Sequence, residues 1–215
     1  MERQKSIQLK YPILFLYIIF TVGIAGHIIP ATRNIMLYLT PVTLFIAGTF
    51  VLYFSLTDKI NKLILWVVFT YLITFILEAI GVATGVIFGN YNYGKTLGFS
   101  LLNVPVIIGY NWVVVILGSI AISSLMTNNV LLRSLIAAIL AVGFDYVLEP
   151  LAIHLDYWQW ANNIIPFSNY VAWFIIAFFS SLIFFKVRVV FNPSVSRHYF
   201  FIQFIFFIIL TIFMV

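Results

Sequence analysis

Seven apolar runs, each long enough to cross a bilayer as a helix, leave this chain of 215 residues few ways to fold. They are Tyr11–Ile29, Ile35–Leu56, Leu63–Val82, Val104–Met126, Val130–Ile153, Asn169–Val187 and Tyr199–Val215. About 17–25 helical residues cover a hydrocarbon core roughly 30 Å thick. The runs take most of the sequence, so no soluble domain fits between them. Apolar residues make up 64% of the chain and charged residues 8%. A soluble domain is about 25% charged, and too little polar surface remains here to cover a core in water. A soluble enzyme and a disordered chain are both excluded. The expected fold is all-α, a polytopic bundle of about seven transmembrane helices forming a single domain over residues 1–215. The first run follows a basic stretch, as a signal peptide does, but its length predicts a retained helix.

Lys and Arg accumulate on the cytoplasmic side of membrane proteins. With seven spans, one side collects Arg3, Lys5, Lys10, Lys59, Lys62, Arg133, Lys186, Arg188 and Arg197, and the other only Arg33 and Lys95. The N-terminus is therefore expected in the cytoplasm and the C-terminus outside, in a multi-pass protein of the cell membrane. The net charge of +5 reports this topology and not a nucleic-acid partner. The absence of cysteine excludes disulfides, iron–sulfur clusters, thiolate zinc sites and cysteine nucleophiles. No glycine-rich phosphate loop occurs, and His27, His154 and His198 are too scattered for a histidine metal cluster. Neither a metal nor an organic cofactor is expected.

Carboxylates inside a membrane are costly and usually functional. Glu78 lies 16 residues past Lys62, about 24 Å from the inner boundary at ~1.5 Å per residue. Asp145 and Glu149 lie in the outer part of the fifth run, with His27, Asn103, Asn111, His154 and Asn169 at the same end. The inner half offers scattered Ser and Thr plus Gln203. Glu78 shares a helical stripe with Tyr71, Thr74, Gly81 and Gly85, whose small members suit close helix approach. Asp145 and Glu149, four apart, share theirs with Ala138, Ala141 and Ala152. Pro150 is expected to break that helix beside them, opening the wall of a polar pocket. A single buried carboxylate can also be a mere helix–helix hydrogen-bonding group. Trp158 and Trp160 read as interfacial belt residues.

Two strings of residues now stand out. The first runs Glu78-x-x-Gly81-x-x-Thr84-Gly85-x-x-Phe88-Gly89-x-Tyr91-x-Tyr93, then Gly98, Val104-Pro105 and Asn111-Trp112. The second is Asp145-x-x-x-Glu149-Pro150, Tyr157-Trp158-x-Trp160, Ile165-Pro166, Asn169-Tyr170 and Trp173. Over about residues 78–173 the chain resembles the integral-membrane carotenoid hydratase family, whose members act on gamma-carotene-type and bisanhydrobacterioruberin-type carotenoids. Members often read Asn-Phe-x-Gly-Trp where this chain has Asn169-Tyr170-Val171-Ala172-Trp173.

The resemblance implies addition of water to the terminal alkene of a linear carotenoid, giving a tertiary alcohol. Such chemistry needs an acid to protonate the alkene, a protected tertiary cation, and a base that delivers water. Our reading takes Asp145 as proton donor, with Glu78 and Glu149 placing water and stabilising charge, and these roles permute freely at this stage. Asn111, Asn169, Tyr91, Trp112 and Trp173 are expected to position substrate or water. The partners are a lipid-soluble carotenoid and membrane lipid. A carotenoid cyclase or isomerase, or a non-enzymatic seven-helix transporter or carotenoid-binding protein, remains open on the residues alone. A retinal protein does not, since the last run lacks a Schiff-base lysine.

Overall fold

The computed structural model describes residues 2–215, with side chains described from Lys10 onward. Its helices are α1 (Glu2–Ile28), α2 (Pro30–Ser55), α3 (Ile60–Thr84), α4 (Val106–Ser123), α5 (Val130–His154), α6 (Phe167–Lys186) and α7 (Pro193–Met214). All seven are long and apolar enough to cross a membrane, α1 over Lys10–Ile28. The chain is an all-α, multi-pass membrane protein.

Local chemistry explains where the helices start. Proline opens α2 and α7, its missing N–H costing nothing in a first turn. Asn129 caps α5 by accepting the Leu132 N–H at 3.1 Å, and Asn192 caps α7 by accepting that of Ser194 at 3.1 Å. The expected loop Pro30–Asn34 is instead the first turn of α2, so only Ile29 separates α1 from α2. Thr32 Oγ1 and Arg33 Nε turn back to donate to the Gly26 and His27 carbonyls at 2.8 and 3.0 Å. Arg33 thus caps the end of α1, where unpaired carbonyls favour a cation. Contrary to expectation, α5 is not broken at Pro150. The ring falls in the last turn, where the loss of one ladder bond leaves the remaining residues helical to His154.

The seventh-helix neighbourhoods are not those of a simple meander. Although the link between α2 and α3 is short, α2 packs on α1, α4 and α7, while α3 packs on α4 and α6. A close pairing of α2 with α3 gives way to α4, which takes the centre and packs against both. Small residues admit it: a Cβ on Gly118 would stand 2.8 Å from Phe200 Cβ. The most extensive pair is α5 with α6, and both carry buried small residues, Ala137, Ala138 and Ala141 on α5 and Ala177, Ser180 and Ser181 on α6.

The two ends of the bundle differ in character. At one end Lys62 Nζ donates to the Val187 carbonyl at 2.9 Å, and Arg133 lies 5.5 Å over the Phe185 ring. Lys62, Arg133, Lys186 and Arg188 therefore share an end; Arg3 and Lys5, counted with them above, lie outside the residues whose side chains are described. At the other end two short ribbons form: β2 (Ser100–Leu101) with β3 (Val104–Pro105), and β1 (Tyr91–Tyr93) with β4 (Trp158–Trp160). The second ribbon joins the α3–α4 and α5–α6 connections antiparallel, pairing Tyr91 with Trp160 and Tyr93 with Trp158. Alternation along a strand turns these four rings inward and leaves Asn92 and Gln159 outside.

Candidate active site

Three carboxylates meet beneath the β1–β4 ribbon. Glu78 comes from the last turns of α3, Asp145 and Glu149 from α5, and they are 3%, 2% and 1% exposed. An acid buried this deeply needs donors, and each one has a different set. Glu78 Oε2 accepts from the Tyr91 hydroxyl and, at 2.8 Å, from the Tyr93 hydroxyl. Glu149 Oε2 accepts from Trp158 Nε1 at 3.0 Å and Trp160 Nε1 at 2.9 Å. Asn169 Nδ2 joins the α5 pair, donating to Asp145 Oδ2 at 2.8 Å and Glu149 Oε1 at 3.2 Å. Burial, and then the charge of Glu78, pushes both ribbon phenols above the ordinary tyrosine range, so they stay protonated as donors.

Aromatic faces close the remaining sides. Trp112 on α4 and Trp173 on α6 stack at 3.6 Å between centroids, and Phe88 lies against Trp173 at 5.1 Å. Gly81 makes room for Phe88: a Cβ there would stand 2.5 Å from its ring. Gly85, with φ +68, ends α3 in the left-handed conformation and donates its N–H to the Gly81 carbonyl at 2.8 Å.

The space left among these groups is about 20 Å³, lined by Glu78, Asp145, Glu149, Asn169 and the surrounding rings. That is room for about one water. A second cavity of about 270 Å³ adjoins it, walled mainly by apolar side chains of α1, α2, α4 and α7. Ile108 and Trp158 line both, forming the partition between a water-sized polar chamber and a wide apolar one. Among the described residues, no group of His, Asp and Glu is arranged to hold a metal ion.

Of the residues singled out in the sequence, Glu78, Asp145, Glu149, Asn169, Tyr91, Trp112 and Trp173 line the small chamber. Asn111 does not. One residue before Trp112, it is turned about 100° around α4, lines the larger cavity and accepts from Gln203 Nε2 at 3.1 Å. Gln203 is thus brought level with Asn111 and is not confined to the far half. His27 also borders the larger cavity, while Asn103 and His154 are exposed. The sequence reading missed Tyr93 as a site residue and treated Trp158 and Trp160 as belt residues; all three donate to the acids, the two tryptophans buried and Tyr93 half-buried. Their signal was the period-two pattern Tyr-Asn-Tyr and Trp-Gln-Trp, which marks two strands with one aromatic face.

The family of carotenoid biosynthesis proteins matches over residues 39–215. The chain belongs to that family. The matched region takes in every carboxylate and every donor of the chamber and is wider than the 78–173 segment that carried the resemblance. This places the family member in carotenoid biosynthesis, with an enzyme role. Neither the curated proteins nor the solved structures contain a match.

Proposed function

We propose that the protein hydrates the terminal C1=C2 double bond of a linear carotenoid, without a cofactor. The observation that carries this reading is the water-sized chamber ringed by three acids and lying beside an apolar cavity. A polyene end lying in the larger cavity reaches the acids past Ile108 and Trp158, while a water occupies the chamber.

The donor sets support one distribution of roles. Trp158, Trp160 and Asn169 offer Glu149 only N–H groups, spread over both of its oxygens. A carboxyl hydrogen on either oxygen would oppose one of them, so Glu149 is held as the anion. Asp145 receives a single N–H, on Oδ2, and Oδ1 meets no donor among the described residues. Asp145 therefore has room for a proton on Oδ1, one helical turn from the Glu149 anion. In the first step the Asp145 O–H bond breaks and its proton forms a C–H bond at the less substituted alkene carbon, leaving a tertiary cation. The Glu149 anion offsets that charge, and the faces of Trp112 and Trp173 add about 0.5–2 kcal/mol each when desolvated. Water then forms the C–O bond and loses a proton to the Asp145 carboxylate left by the first step, which restores the acid. Glu78, oriented by Tyr91 and Tyr93, holds the attacking water. The net change is alkene plus water to tertiary alcohol.

Expression in a lycopene-producing host, with mass analysis of the extracted pigment, tests the reading. A gain of one or two waters supports hydration. New rings at unchanged mass would make the protein a cyclase using the same protonation, and unaltered lycopene with folded protein in the membrane would remove the proposal for this substrate.

A further inference from the structure

The wall of the larger cavity holds two buried polar atoms that nothing in the chamber chemistry uses. His27, 5% exposed, stands near the end of α1, and Gln203, 0% exposed, stands on α7. His27 Nδ1 lies 2.7 Å from the Gly23 carbonyl oxygen, which only accepts. Nδ1 therefore carries the ring hydrogen, and Nε2 of the neutral ring is an acceptor. Gln203 spends its amide hydrogen on Asn111 Oδ1, which leaves Oε1 as an acceptor too. Both His27 Nε2 and Gln203 Oε1 are without a hydrogen-bond partner among the described residues. Phe206, one helical turn past Gln203, meets the His27 ring edge-on at 5.7 Å, so the two acceptors flank one side chain of the same wall.

Two buried acceptors without a partner define what this part of the wall binds. A hydrocarbon satisfies neither atom, and a buried acceptor left unmatched is costly. An amine would supply a donor, but it would bring a charge into an apolar cavity. A hydroxyl supplies a donor without charge. Two other polar side chains of this wall are engaged elsewhere: Thr40 Oγ1 donates to the Met36 carbonyl at 3.0 Å and Trp158 Nε1 to Glu149. His27 precedes the region shared with the family, so the acceptor pair is completed by a helix outside that match.

We propose that His27 and Gln203 form a receptor for an O–H donor, which makes the larger cavity prefer an isoprenoid alcohol over the corresponding hydrocarbon. The isoprenoid part rests on the function proposed above, whereas the hydroxyl part rests on these two side chains alone. The same chemistry is met by the hydroxyl of a bound lipid-soluble alcohol or by a water held at the wall.

The test is binding, with no turnover required. The full-length protein in lipid nanodiscs is loaded with tritiated geranylgeraniol and challenged with unlabelled geranylgeraniol or with its deoxy hydrocarbon. One matched hydrogen bond predicts that the alcohol competes about five- to tenfold better. His27→Phe and Gln203→Met should each cut that preference to about twofold or less while leaving hydrocarbon competition unchanged. Unchanged hydrocarbon competition also shows that each variant is folded. If water is the donor, alcohol and hydrocarbon compete equally, and an ordered solvent peak contacts both atoms in the wild type and is lost in His27→Phe. Equal competition with no such peak, or an alcohol preference that survives both substitutions, overturns the receptor. A protein that fails to hydrate lycopene yet keeps the His27-dependent preference leaves the receptor standing and removes only the proposed reaction.

Discussion

Asp145 and Glu149 sit one helical turn apart and share the amide of Asn169, yet they are not equivalent. Glu149 faces three N–H donors and Asp145 faces one. Asp145→Asn keeps the size of the side chain and loses the transferable proton. Positioned acid catalysis contributes about 10²–10⁴-fold, so hydration per folded molecule should fall by at least ~100-fold with little change in membrane yield. Near-normal specific activity would pass the acid role to Glu78. Glu149→Gln should behave differently, because its NH₂ must confront one of the N–H donors that the carboxylate accepts. A thermal melt in detergent should show Glu149→Gln less stable than Asp145→Asn, by about 1–3 kcal/mol for the unmatched donor. Equal melting of the two variants would contradict the unequal donor sets.

At the scale of elements, the β1–β4 ribbon and the end of α3 form one device. The ribbon carries four inward aromatic side chains, and each donates one hydrogen bond to an acid, those from Tyr93, Trp158 and Trp160 at 2.8–3.0 Å. Phe88, just past the end of α3, fills the corner between that helix and Trp173 because Gly81 has no side chain. Gly81→Ala forces the Phe88 ring to move, an overpacking that costs about 1–3 kcal/mol. Reduced folded yield together with reduced activity is the expected outcome, measured by size-exclusion profile and product formation. Tyr93→Phe removes one donor from Glu78 and keeps the ring, so it should retain the fold and lower turnover while the paired strands stay in register. If Tyr93→Phe instead lost folded protein to the same degree as Gly81→Ala, the hydroxyl would be a structural bond and Glu78 would leave the mechanism.

The whole molecule separates two ends and two cavities. Its cationic end carries Lys62, Arg133, Lys186 and Arg188, and the acids lie at the other. The positive-inside rule predicts that the other end faces out of the cytoplasm. A reporter fused after Val215 should therefore be active only outside, and cytoplasmic activity would reverse both the orientation and the side from which water reaches the chamber. The seven spans, and the common depth of Glu78, Asp145 and Glu149, were legible in the residues alone, because hydropathy and the 3.6-residue period act locally along one helix. The pairing of Asp145 with Glu149 followed from their four-residue spacing in the same way. The placement of α4 at the centre did not, since every helix here is apolar on most faces and lipid and protein neighbours demand similar side chains. Nor did the division of Asn111 from Trp112 between two cavities, which depends on where α7 and α6 lie around α4. The donor sets of the acids were hidden for a related reason. They arise where Tyr91–Tyr93 pairs with Trp158–Trp160 across two connections far apart in the chain, and short strands carry no local signal for their partner. Sequence determined how many times the chain crosses the membrane and at what depth its acids lie; the tertiary structure alone decided which donors each acid meets, because those hydrogen bonds join segments that only folding brings together.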